Sequence, residues 1–171
     1  KGAHILIIGA GPVGQMAIRW AKAKSVETIA VVDLSDIRLE LAKKGGATML
    51  IRGDVADQID AIRGIDGGNG PCIIVDTTGN PDVFKHALSA APMFGKVILL
   101  GDTGYPGRQC LTSDVMSKGL SVQAVHDSHD HHGGTQRKID EKFFTSVEAG
   151  RFDLSGLITH EFCPADCVKA Y

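Results

Sequence analysis

Six short apolar runs separated by stretches of helical periodicity constrain this chain more than any other feature. The runs are HILIIG (4–9), TIAVVD (28–33), TMLI (48–51), CIIVDT (72–77), KVILLG (96–101) and LSVQAV (120–125). The first, second, fourth and fifth are apolar on successive rather than alternate positions. That pattern suits strands covered on both faces, as in a parallel sheet. Parallel neighbours need long crossovers, and helical patterns fill the intervals. From 12 to 24, Val13, Met16, Ala17, Trp20 and Ala21 recur at the spacing of one helix face, which predicts a helix with that stripe buried. Over 35–44, Ser35 is placed as an N-cap, Ile37 and Leu41 form the apolar stripe, and Gly45 and Gly46 stop the helix. Further helices are predicted over about 55–63, from Pro81 to about Ala91, and over about 135–149 before Gly150. GIDGGNGP (64–71) reads as the most flexible connector. Residues 1–171 therefore form one α/β domain. It is a Rossmann-type doubly wound parallel sheet of about six strands, with helices on both faces.

The bulk numbers narrow the function. With 171 residues, 43% of them apolar, the chain can bury a sizeable core. A formal net charge of −2 argues against nucleic acid or an anionic membrane as partner. No run of 18 apolar residues occurs, and KGAHILII lacks the pattern of a signal peptide. Four scattered cysteines, Cys72, Cys110, Cys163 and Cys167, suit a reduced, cytoplasmic setting.

Gly9, Gly11 and Gly14 form G-A-G-P-V-G between the first strand and the first helix. In a dinucleotide fold the three permit, in turn, a tight turn, close approach of backbone to a pyrophosphate, and close packing of helix on strand. Pro12 has no N–H, but the first turn of a helix has donors to spare, and its positive dipole end faces the anion. Asp33 follows at the end of the second strand, 19 residues after Gly14. A carboxylate there accepts hydrogen bonds from adenosine ribose hydroxyls and repels the 2′-phosphate of NADP. Such bonds are worth about 1.5–3 kcal/mol, roughly ten- to a hundredfold in affinity. The expected cofactor is NAD.

GAGPVGQMAIRWAKA, VVDLSDIRLELAKKGGA, VDTTGNPDVFKHAL and GKVILLGDTG together resemble the nucleotide-binding domain of medium-chain, zinc-type alcohol and polyol dehydrogenases. The similarity spans the chain and is most specific in the first 101 residues. The resemblance implies cofactor contacts at Gly9, Gly11, Pro12, Val13 and Gly14. It implies further contacts at Asp33 and Arg38 beside the ribose, and at Thr77 and Thr78 on the adenine side. Leu100, Gly101 and Asp102 would lie at the nicotinamide, with Ala124, Val125 and His126 nearby. It also implies a small alcohol or polyol substrate, and a homodimer or tetramer paired through the last strand.

In that family a second domain, N-terminal to this one, carries the catalytic zinc and most of the substrate pocket. The chain is accordingly expected to be a partial one that binds NAD and turns nothing over alone, with no metal site or catalytic residue of its own. HDSHDHHGG brings His126, His129, His131 and His132 close together with Asp127 and Asp130. Three readings stand: a polar loop near the nicotinamide, a surface cluster, or a metal site, although the spacing matches no structural zinc pattern. Facing the cleft, a histidine there could relay a proton. Cys163 and Cys167 read as ordinary buried or half-buried cysteines. Two other functions fit less well. A zinc-free quinone reductase of the same superfamily usually lacks the acid placed at Asp33. A stand-alone NAD-binding regulatory module is disfavoured by the match in the first helix.

Overall fold

The computed structural model describes residues 2–126 and 135–170. The strands are β1 (His4–Ile8), β2 (Thr28–Asp33), β3 (Met49–Arg52), β4 (Ile73–Asp76), β5 (Lys96–Leu99) and β6 (Ser121–Ala124). They form one parallel sheet in the order β3-β2-β1-β4-β5-β6. The helices are α1 (Pro12–Ala23), α2 (Asp36–Gly45), α3 (Ile59–Arg63), the single turn α4 (Ile65–Gly68), α5 (Pro81–Ala90), α6 (Asp114–Ser117), α7 (Gln136–Glu148) and α8 (Cys167–Ala170). This is the predicted doubly wound architecture. Strand order reverses between β1 and β4, so a crevice opens beyond their carboxyl ends.

The core explains why the central strands are apolar at every position. Leu6, Ile8, Ala30 and Val32 pack on one face against Val55, Ile62, Phe84 and Leu88. Ile5, Ile7, Ile29 and Val31 pack on the other against Ile18, Leu39 and Ala42. Each valine, leucine, isoleucine or phenylalanine among them contributes about 1.5–3 kcal/mol on burial. At the sheet edge β6 is exposed along its whole length.

Two helix faces differ from the sequence expectation. In α1 the residues turned inward are Gly14, Gln15, Ile18, Arg19 and Ala21, while Val13 is 46% exposed. The cause is local. A Cβ on Gly14 would lie 2.0 Å from the Gly9 carbonyl oxygen, so the glycine face itself meets the strand and fixes the rotation of the helix. Of the expected stripe, Ala21 is buried and Ala17 packs against the core beside it. In α2 the buried positions are Leu39, Ala42 and Gly45, and Ile37 is 78% exposed. Gly45 lies against Arg19, where a Cβ would come within 2.6 Å of its guanidinium. The caps are as expected: the Ser35 hydroxyl accepts from the Arg38 amide, and Gly46 ends α2 at φ +115°.

Residues 64–71 are also more tied down than their composition suggests. Asp66 adopts φ +54° and sits 3.2 Å from His4 Nε2. The other His4 nitrogen lies 2.8 Å from the Thr28 hydroxyl. The Asn69 side-chain amide donates to the Asp66 carbonyl at 2.8 Å. Cys163 and Cys167, expected buried or half-buried, are exposed, as are Cys72 and Cys110. The reason is that 163–170 forms a 3-10 turn and the short α8 with no buried residue in either. No helix among the described residues is long and apolar enough to cross a membrane.

Candidate functional site

A cleft of about 430 Å³ opens at the β1–β4 crevice, walled by Gly9, Gly11, Asp33, Leu34, Arg38, Asp54, Thr77, Thr78 and Asn80, among others. Its floor is the glycine turn. Gly9 has φ +89°, a conformation that costs other residues strain. A Cβ there would also stand 2.9 Å from atoms of both Thr77 and Thr78. Gly11 is different: its φ is −67°, and a Cβ built on it meets nothing within 4 Å. The space beside Gly11 is thus open on the cleft side, with the N-terminus of α1 behind it. Pro12 opens that helix, but neither Pro12, Val13 nor Gly14 belongs to the walls.

Asp33 stands at the rim, anchored from below. Its Oδ2 accepts from the Ala10 amide and its Oδ1 from the Ser35 amide, both at 2.7 Å. A carboxylate has about four acceptor positions, so two donors leave capacity for ribose hydroxyls. Asp33 therefore has a structural role that its sequence position did not reveal. Arg38 brings a cation to the same wall.

Thr77 holds the glycine turn as well as lining the cleft, and Thr78 ties down its own loop. The Thr77 hydroxyl lies 2.9 Å from the Ile8 carbonyl oxygen and 3.0 Å from that of Gly9, and donates to them. The Thr78 hydroxyl donates to Asp76 Oδ1 at 2.7 Å and accepts from the Asn80 amide at 3.1 Å.

Beneath them lies Asp76, only 1% exposed, whose Oδ2 has no hydrogen-bond partner among the described residues. Burial pushes its carboxyl above the ordinary range, opposed by the two bonds from Thr78. A folded-state pKa above the unfolded one means the native form binds the extra proton. Stability from this group is therefore greatest below the unfolded carboxylate pKa and declines as pH rises through the folded one. Asp76→Asn keeps the acceptor for Thr78 and removes the buried charge. Its melting temperature should gain on the wild type as pH is raised from about 4 to about 7; a gap that stays constant would contradict this account.

A second cleft of about 300 Å³ lies along the same edge of the sheet, beyond β5 and β6. Leu100, Gly101, Asp102, Ala124, Val125 and His126 all line it. The Leu100 and Gly101 amides both donate to the Asp76 carbonyl, at 2.9 and 3.0 Å. Both amides are thus already engaged within the fold. The loops after β4 and β5 cross in close contact at Gly79 and Gly101. A Cβ on Gly79 would fall 1.8 Å from the Asp102 oxygen, and one on Gly101 would fall 2.4 Å from the Gly79 nitrogen. Apart from Pro12, Val13 and Gly14, which form the scaffold of α1, every expected contact lines one of the two clefts. His129, His131 and His132, with Asp127 and Asp130, lie outside the described residues. Among the described residues no three His, Cys, Asp or Glu side chains converge to hold a metal ion.

Sequence comparison gives this geometry a family. The model of the family described as zinc-binding dehydrogenase matches residues 12–132. The chain belongs to the zinc-binding dehydrogenase family. Within it, L-threonine 3-dehydrogenase of Bacillus velezensis is 35% identical over 173 aligned residues, covering 99% of this chain and 47% of that protein. An Escherichia coli oxidoreductase/dehydrogenase of unknown specificity superposes with a TM-score of 0.82 at 26% identity, over 99% of this chain and 46% of its own. An alcohol dehydrogenase from Escherichia coli CFT073, solved in complex with NADH, superposes with a TM-score of 0.79 at 25% identity, over 99% and 47%. The chain spans about half the length of the curated relatives it matches.

Two polar residues of this dehydrogenase domain have no counterpart in the sequence expectation. Gln15 is 2% exposed and Arg19 1%. Gln15 Nε2 donates to the carbonyls of Ala10 and Arg38, each at 3.0 Å. Arg19 donates to the Gln15 carbonyl and Oε1, also at 3.0 Å, and through Nε to the Asp153 carbonyl at 2.5 Å. Burial lowers the Arg19 pKa, with Asp153 acting in the opposite sense. The sequence signal was available: Gln15 and Arg19 are spaced i, i+4 and adjoin Gly14 and Ile18 on the buried face.

Proposed function

We propose that this chain is the NAD(H)-binding part of a dehydrogenase that moves hydride between nicotinamide and a small alcohol or the matching carbonyl. The observation that carries this reading is the open floor at Gly11 in the crevice at the strand-order switch, with Asp33 at its rim. The open position suits a pyrophosphate, and the carboxylate suits a ribose. Bound nicotinamide would supply the hydride acceptor or donor. Around it, the chain's own residues bind and orient. The Gly9–Gly14 turn would hold the pyrophosphate, Asp33 and Arg38 the adenosine ribose, and the second cleft the nicotinamide. Thr77 supports this arrangement by bracing the turn.

No side chains among the described residues converge on a zinc centre. In this reading the metal and most of the substrate pocket come from residues outside this sequence, and the chain alone binds cofactor without turning over substrate. Several relatives carry the name L-threonine 3-dehydrogenase, which places hydroxy amino acids beside simple alcohols and polyols as compounds to try. The test is NADH formation by the full-length protein with NAD and those three classes. Reduction of NAD by one class supports the reading; NADH binding without turnover of any would favour a regulatory module instead.

The exposed β6 edge supports pairing of two copies, since an unpaired edge is otherwise a liability. Light scattering should find a dimer or tetramer, converted to monomer by Val122→Lys. A wild-type monomer would refute the pairing.

A further inference from the structure

Gln15 and the peptide bond it holds carry a consequence for the cofactor that builds on the NAD(H) reading above. Ala10 is pinned through both of its peptides: its N–H donates to Asp33 at 2.7 Å, and its carbonyl accepts from Gln15 at 3.0 Å. In a trans peptide the carbonyl and the next N–H lie in one plane and point in opposite directions. Drawing the Ala10 carbonyl inward to the buried Gln15 therefore turns the Gly11 N–H outward. Gly11 lines the cleft, and its amide makes no hydrogen bond among the described residues. The same Gln15 amide also holds the Arg38 carbonyl, which ties the first turn of α2 to the glycine turn. Arg19 fixes the other end of Gln15 and is itself held by Asp153, so the amide has little freedom to turn.

We propose that Gln15 is a positioning residue for the cofactor's pyrophosphate: by holding the Ala10–Gly11 peptide it aims the Gly11 N–H at the anion. It touches no part of the cofactor itself. Its polar character is needed for the donation, because an apolar side chain of equal length would fill the same space and leave the peptide plane free to rotate.

The test compares ADP-ribose, which carries the pyrophosphate, with adenosine, which does not. Both are titrated into the full-length protein and its Gln15→Met variant. Loss of one aimed hydrogen bond to a charged group should weaken ADP-ribose about tenfold, while adenosine changes by less than about twofold. A purely structural role would lower the melting temperature and leave the ratio of the two affinities unchanged, which would overturn the proposal. If the wild type binds neither compound, the NAD(H) reading itself fails. Should the variant not fold, the wild-type Gly11 amide resonance decides. It should shift on ADP-ribose and not on adenosine, and an unmoved Gly11 signal with ADP-ribose bound would equally overturn the assignment.

Discussion

Gly11→Val should leave the fold intact and weaken cofactor binding. The backbone at Gly11, φ −67° and ψ −173°, is extended, which valine adopts readily before a proline. No atom stands within 4 Å of the new Cβ, so nothing must move to admit it. As an N-cap, valine is poorer than glycine, and the expected stability loss is about 1 kcal/mol or less. The branched side chain projects instead into the cleft, where a pyrophosphate would approach the backbone. Keeping a charged group from the Gly11 N–H should weaken NADH by about ten- to a hundredfold. Calorimetric titration alongside thermal melting checks both halves. Unchanged NADH affinity would remove Gly11 from the site, and a collapsed melting transition would show that its space is not free.

Gly14→Ala, three residues along the same motif, should act chiefly on stability. The added methyl would sit 2.0 Å from the Gly9 oxygen and 3.0 Å from its carbonyl carbon, both backbone atoms that no rotamer can clear. Relief requires α1 to lift from β1, disturbing Ile18 and the Gln15–Arg19 network that share its buried face. The expected cost is about 3 kcal/mol, or roughly 10 °C in melting temperature for a domain of this size. Cofactor affinity should fall as well, by about tenfold, because Gln15 then no longer holds the Ala10 carbonyl in place. A variant as stable as wild type would mean that the helix does not rest on this glycine.

The contrast shows what sequence could convey. The runs of β1, β2 and β4 are visible because residues on both of their faces join the two core clusters, and the caps at Ser35 and Gly46 follow local chemistry. Asp33 stands out by its distance from the glycines. The helix faces were hidden for a physical reason. Hydrophobic spacing predicts a stripe, but Gly14 against Gly9 decides which stripe turns inward, and it chose one bearing Gln15 and Arg19. Their i, i+4 spacing puts both side chains on one face, but the partners that hold them include backbone carbonyls of residues 10, 38 and 153, the last 134 positions from Arg19. Residue identity says nothing about which distant carbonyl will be left facing the interior. The bracing done by Thr77 and Thr78, and the buried charge at Asp76, are hidden in the same way: each depends on how two loops cross at Gly79 and Gly101.

The central claim is that the crevice binds NAD(H) with Asp33 reading the ribose. Replacing Asp33 would confuse matters, because the same carboxylate holds the Ala10 and Ser35 amides. The direct measurement is on the wild-type protein, titrated with NADH and with NADPH under the same conditions. NADH should bind about ten- to a hundredfold more tightly, the difference between ribose hydroxyls bonded to a carboxylate and a phosphate repelled by it. Equal affinities, or a preference for NADPH, would contradict the account.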